Sequence, residues 1–173
     1  MKFRLIRSNS NIVYHGSKND FIKFDTSFLG TNDGCNWYGV GFHFCDSKDY
    51  ILENYSKNGF IYTCEILGSD STLDLFAKIG NQPSSTKLIQ LCNDYELDIE
   101  SKRGFELPQA LSRKLGYPKG QTYLDIKIRK HFQSILSQYG IEVMKWEEGI
   151  NIYVVWNADK VKILDKQRVD SLI

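Results

Sequence analysis

The order of elements along the chain predicts an α+β fold with antiparallel pairing. Three observations carry this. Short strand signals lie at both ends of the chain, whereas apolar residues at helical spacing concentrate in the middle, at about 83–139. The succession is two strands, a helix, a strand, a helical stretch and then a closing run of strands, without the regular strand–helix alternation of a doubly wound sheet. With only three prolines and no low-complexity linker or internal repeat, the 173 residues read as a single domain, 1–173, with a helical insertion at about 83–139.

Taken in order, residues 11–14 (Asn-Ile-Val-Tyr) form a first short strand, and the mixed segment 21–28 folds back over it. Thr31-Asn32-Asp33-Gly34 is a turn signal, and 38–44 is the next strand. Asp46 or Ser47 caps a helix reaching about Tyr55, since a short side-chain oxygen there can accept from the unpaired amides of the first turn. Residues 60–67, dense in aromatic and β-branched side chains, predict a central strand. Pro83 suits the first turn of a helix through Leu97, and a second helix near 107–115 ends at Gly116 and Pro118. Leu124, Ile128, Phe132, Ile135, Leu136 and Tyr139 predict a helix over 123–139, stopped by Gly140. Residues 141–146 and 150–156 alternate as strands around a Glu148-Gly149 connection. Asn157-Ala158-Asp159-Lys160 then turns the chain into an edge strand, 161–164.

Composition excludes more than it selects. A content of 42% hydrophobic and 25% charged residues is that of an ordinary soluble globular protein, and a net charge of +1 supplies no global field toward nucleic acid or an anionic membrane. The N-terminal residues lack the long apolar run of a secretion signal, and no segment is apolar over the length of a bilayer. The expected setting is cytoplasmic, in the producing cell or in a target cell if the protein is delivered, with no membrane partner. Cys35, Cys45, Cys64 and Cys92 are scattered without a CxxC pair, which argues against a metal site. Four cysteines suffice for two disulfides, but without a signal sequence reduced thiols are expected.

Two segments concentrate the chemistry: Tyr14-His15-Gly16-Ser17 and Gly39-Val40-Gly41-Phe42-His43-Phe44-Cys45-Asp46. The first is similar to the HGS/HGT motif, and the second to the G-x-G-[hydrophobic]-Y-F-x-D strand, of ADP-ribosyltransferases (ARTs) of the PARP/diphtheria-toxin type. In that family a helix carrying a ring-stacking tyrosine follows, here at Tyr55. Ile152-Tyr153-Val154-Val155-Trp156-Asn157 and the strand after it resemble the closing E-Y-x-V-[YF]-[DN] element, as found in ART domains of phage polyvalent proteins and bacterial toxins. The resemblance covers roughly the first seventy and the last thirty-five residues, and the helical middle matches only in being helical.

The resemblance implies an ART fold, two packed and mostly antiparallel sheets around an NAD cleft with flanking helices. It implies NAD as co-substrate, no metal, and transfer of one ADP-ribose unit to a macromolecular acceptor (protein, RNA or DNA) with release of nicotinamide. A toxin of this kind would have a cognate antitoxin or immunity protein. Carried over residue by residue, His15, Gly16, Ser17, Tyr38, Gly41, His43, Phe44, Tyr55 and Ile152 line the NAD site, and His15, His43 and Glu148 serve catalysis. The physical needs agree. Glycine lets the carboxamide approach the main chain, aromatic faces gain on the order of 0.5–2 kcal/mol over a pyridinium cation, and fixed polar groups hold ribose hydroxyls as an oxocarbenium develops.

Two positions depart from the family. His43 stands where the second member is usually tyrosine, and Ile152 where the third is usually glutamate. Elongation into poly-ADP-ribose is therefore not expected, and Glu147 and Glu148 are the carboxylates that can reach the cleft from its rim. Three alternatives stay open: a catalytically degenerate module binding NAD or ADP-ribose, an RNA-directed ART-fold enzyme performing nucleic-acid ADP-ribosylation or 2′-phosphotransfer, and a structural or interaction protein, such as a phage component, in which the fold is a scaffold. The 2′-phosphotransferase branch shares a His, His, hydrophobic pattern, but its arginine-rich motifs are absent around His15 and His43. Plainer readings stand beside each residue. His15 is also an ordinary strand-end histidine, Tyr38 and Tyr55 core aromatics, and Gly39 and Gly41 relief for a bulge. Glu147-Glu148 also reads as a charged hairpin tip, and Lys127, Arg129, Lys130 and His131 as a solvated helix face.

Overall fold

The computed structural model describes residues 11–29, 40–54, 59–118, 125–147 and 149–169. Their strands are β1 (Asn11–Ser17), β2 (Phe42–Cys45), β3 (Gly59–Ile66), β4 (Thr72–Asp74), β5 (Val143–Glu147), β6 (Asn151–Val155) and β7 (Val161–Val169). The helices are α1 (Lys48–Asn54), α2 (Ser85–Asp94), α3 (Glu106–Lys114) and α4 (Ile126–Gln138). The class is α+β, as predicted, and every strand pairing is antiparallel except β4 with β5.

The expected two packed sheets are corrected: the strands hydrogen-bond into one seven-stranded mixed sheet, ordered β4-β5-β6-β2-β1-β3-β7. Its two halves meet only between β1 and β2, through a single registered pair, Tyr14↔Cys45. By contrast β1 and β3 register over seven pairs, and β3 and β7 over eight. The sheet is thus continuous but nearly divided, and the division falls between the two sequence motifs.

Side-chain alternation sorts residues onto two faces. One face carries Val13, Phe44, Tyr62, Cys64, Tyr153 and Val155 with the partly buried Phe42, covered by Phe24 and the partly buried Phe21. This is the predicted wrap of residues 21–28. The other face carries two separate cores: Leu73, Met144 and Val154 beneath α2, α3 and α4, and Cys45 and Ile61 beneath Ile51 of α1. Between them, Ile152 lies across from Cys45 on one side and from Trp146 on the other.

Local rules explain most boundaries. Ser47 is the cap of α1, its Oγ accepting from Tyr50 N–H at 3.2 Å. Asp125 caps α4 by accepting from Lys127 N–H at 2.8 Å, and Gly140, at φ 69°, ends the following turn in the left-handed region that favours glycine. The predicted start of this helix at Tyr123 falls outside the described residues. β1 runs on to Ser17, and β7 to Val169, because β3 pairs both strands along their lengths. β4 escaped the sequence reading. It is only three residues long, and buried Gln82 and Ser84 hold it, Gln82 Oε1 accepting from Asp74 N–H at 2.8 Å and Ser84 Oγ donating to Thr72 O.

Candidate functional site at the junction of β1 and β2

Asp46 N–H donates to Asn151 O at 3.1 Å, so the main-chain groups of residues 42, 44 and 46 point toward β6 and those of 43 and 45 toward β1. Continuing the ladder two residues beyond Tyr14↔Cys45 would set Gly16 against His43. That pair is not registered. His15 Nδ1 instead reaches the His43 carbonyl at 2.8 Å. A side chain has taken the acceptor that the main chain would have used, and the Gly16 amide and carbonyl face the junction with no registered β2 partner.

A carbonyl only accepts, so His15 Nδ1 carries the hydrogen and Nε2 presents a lone pair. The ring sits among aromatics, edge-on to Phe24 at 5.2 Å and tilted against Phe44 at 5.5 Å, Phe21 at 6.1 Å and Tyr62 at 6.2 Å. Burial pushes its pKa below the ordinary imidazole value, against the hydrogen bond to His43, which favours the charged form. Residues 19–24 hold this side closed. Tyr62 Oη donates to Asn19 O at 3.1 Å and accepts from Phe21 N–H at 2.9 Å, while the Phe21 ring stacks on Tyr62 at 4.1 Å.

His43 projects to the opposite face, paired with Val154. Its Nε2 is buried without a hydrogen-bond partner. Burial first, and then the repulsion that two protonated rings would suffer beside each other, lower its pKa to about 4, opposed by a backbone hydrogen bond to Gly41. With Nε2 unpartnered, that bond runs from Nδ1–H. The junction therefore holds two neutral imidazoles, both of the Nδ1–H tautomer and each offering Nε2 as an acceptor. Leaving a buried acceptor unmatched costs roughly 1–3 kcal/mol, so a ligand hydroxyl or amide N–H at His43 is favoured.

The other predicted residues divide. Phe44 is 1% exposed and belongs to the core beside His15. Ser17 Oγ accepts from Asn19 N–H at 3.0 Å and so closes a local turn. Gly41 is required by β6: a Cβ there would stand 2.7 Å from both Val154 Cγ1 and the Val155 carbonyl oxygen. Ile152 is half-buried at its predicted place on β6. Glu147 is exposed at the end of β5, across from Asn151. Tyr38, Gly39, Tyr55, Glu148 and Cys35 lie outside the described residues.

The basic patch on α4 is also corrected. Lys127 and Lys130 are exposed, but Arg129 is half-buried, with its Nε buried and unpartnered. Exposed His131 is engaged by the Tyr117 hydroxyl through its Nδ1. The sequence signal for Arg129 was its spacing of four from Gln133, which sets the two on one side of the helix beside the apolar stripe. Among the described residues no cluster of three or more His, Cys, Asp or Glu is arranged to hold a metal, and no helix is long and apolar enough to cross a membrane. Cys45, Cys64 and Cys92 are buried free thiols. No family model, curated protein or solved structure matches the chain.

Proposed function

We propose that the β1–β2 junction is a nicotinamide–ribose site and that the protein is an NAD-dependent mono-ADP-ribosyltransferase acting on a macromolecular acceptor. The observation that supports this most is the exchange at His43 O, where the His15 ring replaces the ladder and frees the Gly16 amide and carbonyl. A carboxamide has one donor and one acceptor to match that pair, and no side chain at Gly16 obstructs its approach. The buried, unpartnered Nε2 of His43 fits a ribose hydroxyl as donor. Both imidazoles stay neutral near pH 7 because burial disfavours their protonation, so neither repels the cationic ring.

In this reading the C1′–N bond breaks with its electron pair leaving on nicotinamide, and an acceptor nucleophile bonds C1′ and releases a proton. His15 and Gly16 orient the nicotinamide end, His43 holds a hydroxyl, and Phe44 excludes water from one wall. Glu148, between β5 and β6 in sequence, is the carboxylate we assign to take the acceptor proton. The second reading, NAD or ADP-ribose binding without turnover, is favoured by Ile152, an aliphatic side chain between Cys45 and Trp146 where the resemblance calls for a carboxylate. The test is nicotinamide release from labelled NAD in a cell lysate, with protein and nucleic-acid fractions separated and a His15→Ala control. Label in one fraction that disappears with His15→Ala is expected. Binding of NAD without release would favour the second reading, and no interaction with NAD at all would sink both.

A further inference from the structure

Among the described residues, Arg129 is a cation whose Nε is left without an acceptor. This atom is buried, and the nearby opposite charge, Asp125, acts at a distance while its Oδ1 accepts from Lys127 N–H. Burial lowers the pKa of the guanidinium, against the charge of Asp125, which raises it. One turn along α4, on the same side, Gln133 Nε2 donates to Val40 O at 2.9 Å, a buried contact that fixes this side of the helix against the entry to β2.

Gln133 thus ties the helix that carries Arg129 to Val40, three residues before His43, and Arg129 and His43 each have an unmet need. Arg129 Nε lacks an acceptor and His43 Nε2 lacks a donor. Both lie on the same side of the sheet, because His43 shares its face with Val154, and Val154 packs in one core with Phe132, Ile135 and Leu136 of α4. A ligand satisfying both needs an anionic group and, separately, a hydroxyl. We infer that Arg129 binds the pyrophosphate of the dinucleotide held at the β1–β2 junction. This rests on the nicotinamide–ribose reading of that junction.

Arginine suits the role, since its planar fork of five donors can engage two phosphate oxygens at once. A half-buried charge with an unmatched donor also works against stability, and residues that break folding rules in this way mark functional positions. Exposed Lys127 and Lys130 on the same helix carry no such penalty.

The experiment is calorimetric titration of the full chain with NAD and, separately, with inorganic pyrophosphate. Wild type is compared with Arg129→Met, Arg129→Lys and the control Lys130→Ala. Arg129→Met is expected to weaken both ligands at least tenfold without lowering the thermal unfolding midpoint, Arg129→Lys to recover part of the loss, and Lys130→Ala to behave as wild type. Equal affinities for wild type and Arg129→Met overturn the inference while leaving NAD binding intact. A loss of binding that tracks a lowered midpoint, with Arg129→Lys no better than Arg129→Met, overturns it by making the residue structural. Arg129-dependent binding of pyrophosphate without any binding of NAD leaves a phosphate site and sinks the dinucleotide reading instead.

Discussion

Replacing His43 with glutamine should flatten the acid limb of the protein's stability curve. Burial, reinforced by His15, lowers the pKa of His43 from 6.5 to about 4 in the folded chain. Well above pH 6.5 both folded and unfolded states hold a neutral ring, and this residue adds no pH dependence. As pH falls toward 4 the unfolded chain takes up a proton that the folded chain refuses, so stability declines with falling pH. The shift corresponds to a loss of about 2 kcal/mol at pH 5 and about 3 kcal/mol at pH 4. His15 shifts in the same direction and adds to the decline. Carboxylates begin to titrate in the same range, so the informative quantity is the difference between wild type and His43→Gln. Urea unfolding at pH 7.5 and 5.0 should show wild type losing about 2 kcal/mol more than the variant. Parallel losses in the two proteins, or an imidazole resonance of His43 titrating near 6.5, would refute the reasoning.

Other outcomes follow from single contacts. Gly41→Ala places a Cβ against the Val155 carbonyl, main chain that cannot swing away, and should cost about 1–3 kcal/mol in urea unfolding; an unchanged midpoint contradicts the close approach of β2 to β6. Tyr62→Phe keeps the stacked ring but removes the hydroxyl between Asn19 O and Phe21 N–H. It should cost about 1 kcal/mol and speed amide exchange at Phe21. Asp46→Ala removes the carboxylate that accepts from Asn151 N–H at 3.0 Å and Asn151 Nδ2 at 2.6 Å. Because the Asp46 carboxylate is exposed, about 1 kcal/mol is expected, with faster amide exchange at Asn151 as the local readout.

Much of the local structure was legible in the residues themselves. Ser47 caps α1, and Gly140 closes α4, because these side chains or their lack meet a need of the adjacent backbone wherever the chain goes. The alternation of Phe42, His43 and Phe44 put the imidazole on the face opposite the two rings, and β2 keeps that arrangement because side chains on a strand must alternate. The α+β class followed from the order of such elements. The candidate site was legible as two motifs, His15-Gly16-Ser17 and Gly41-Phe42-His43, and not as a geometry.

Tertiary structure alone decided the rest. Lys166, Gln167 and Arg168 carry no strand pattern of their own, and become strand because β3 offers a ladder along its full length. Three residues at β4 become strand because Gln82 and Ser84 pin them beside β5. Arg129 reads like its neighbours Lys127 and Lys130 until packing buries one and leaves the others in water. The junction itself is the clearest instance. Which strand lies beside β1, and that an imidazole displaces the main chain there, depends on partners 28 residues apart in sequence. Short-range preferences are properties of a residue and its neighbours, and so the sequence by itself determined the elements and the residue types in the motifs. Register, burial and an unmet hydrogen bond are properties of pairs distant along the chain, and those only the folded sheet could decide.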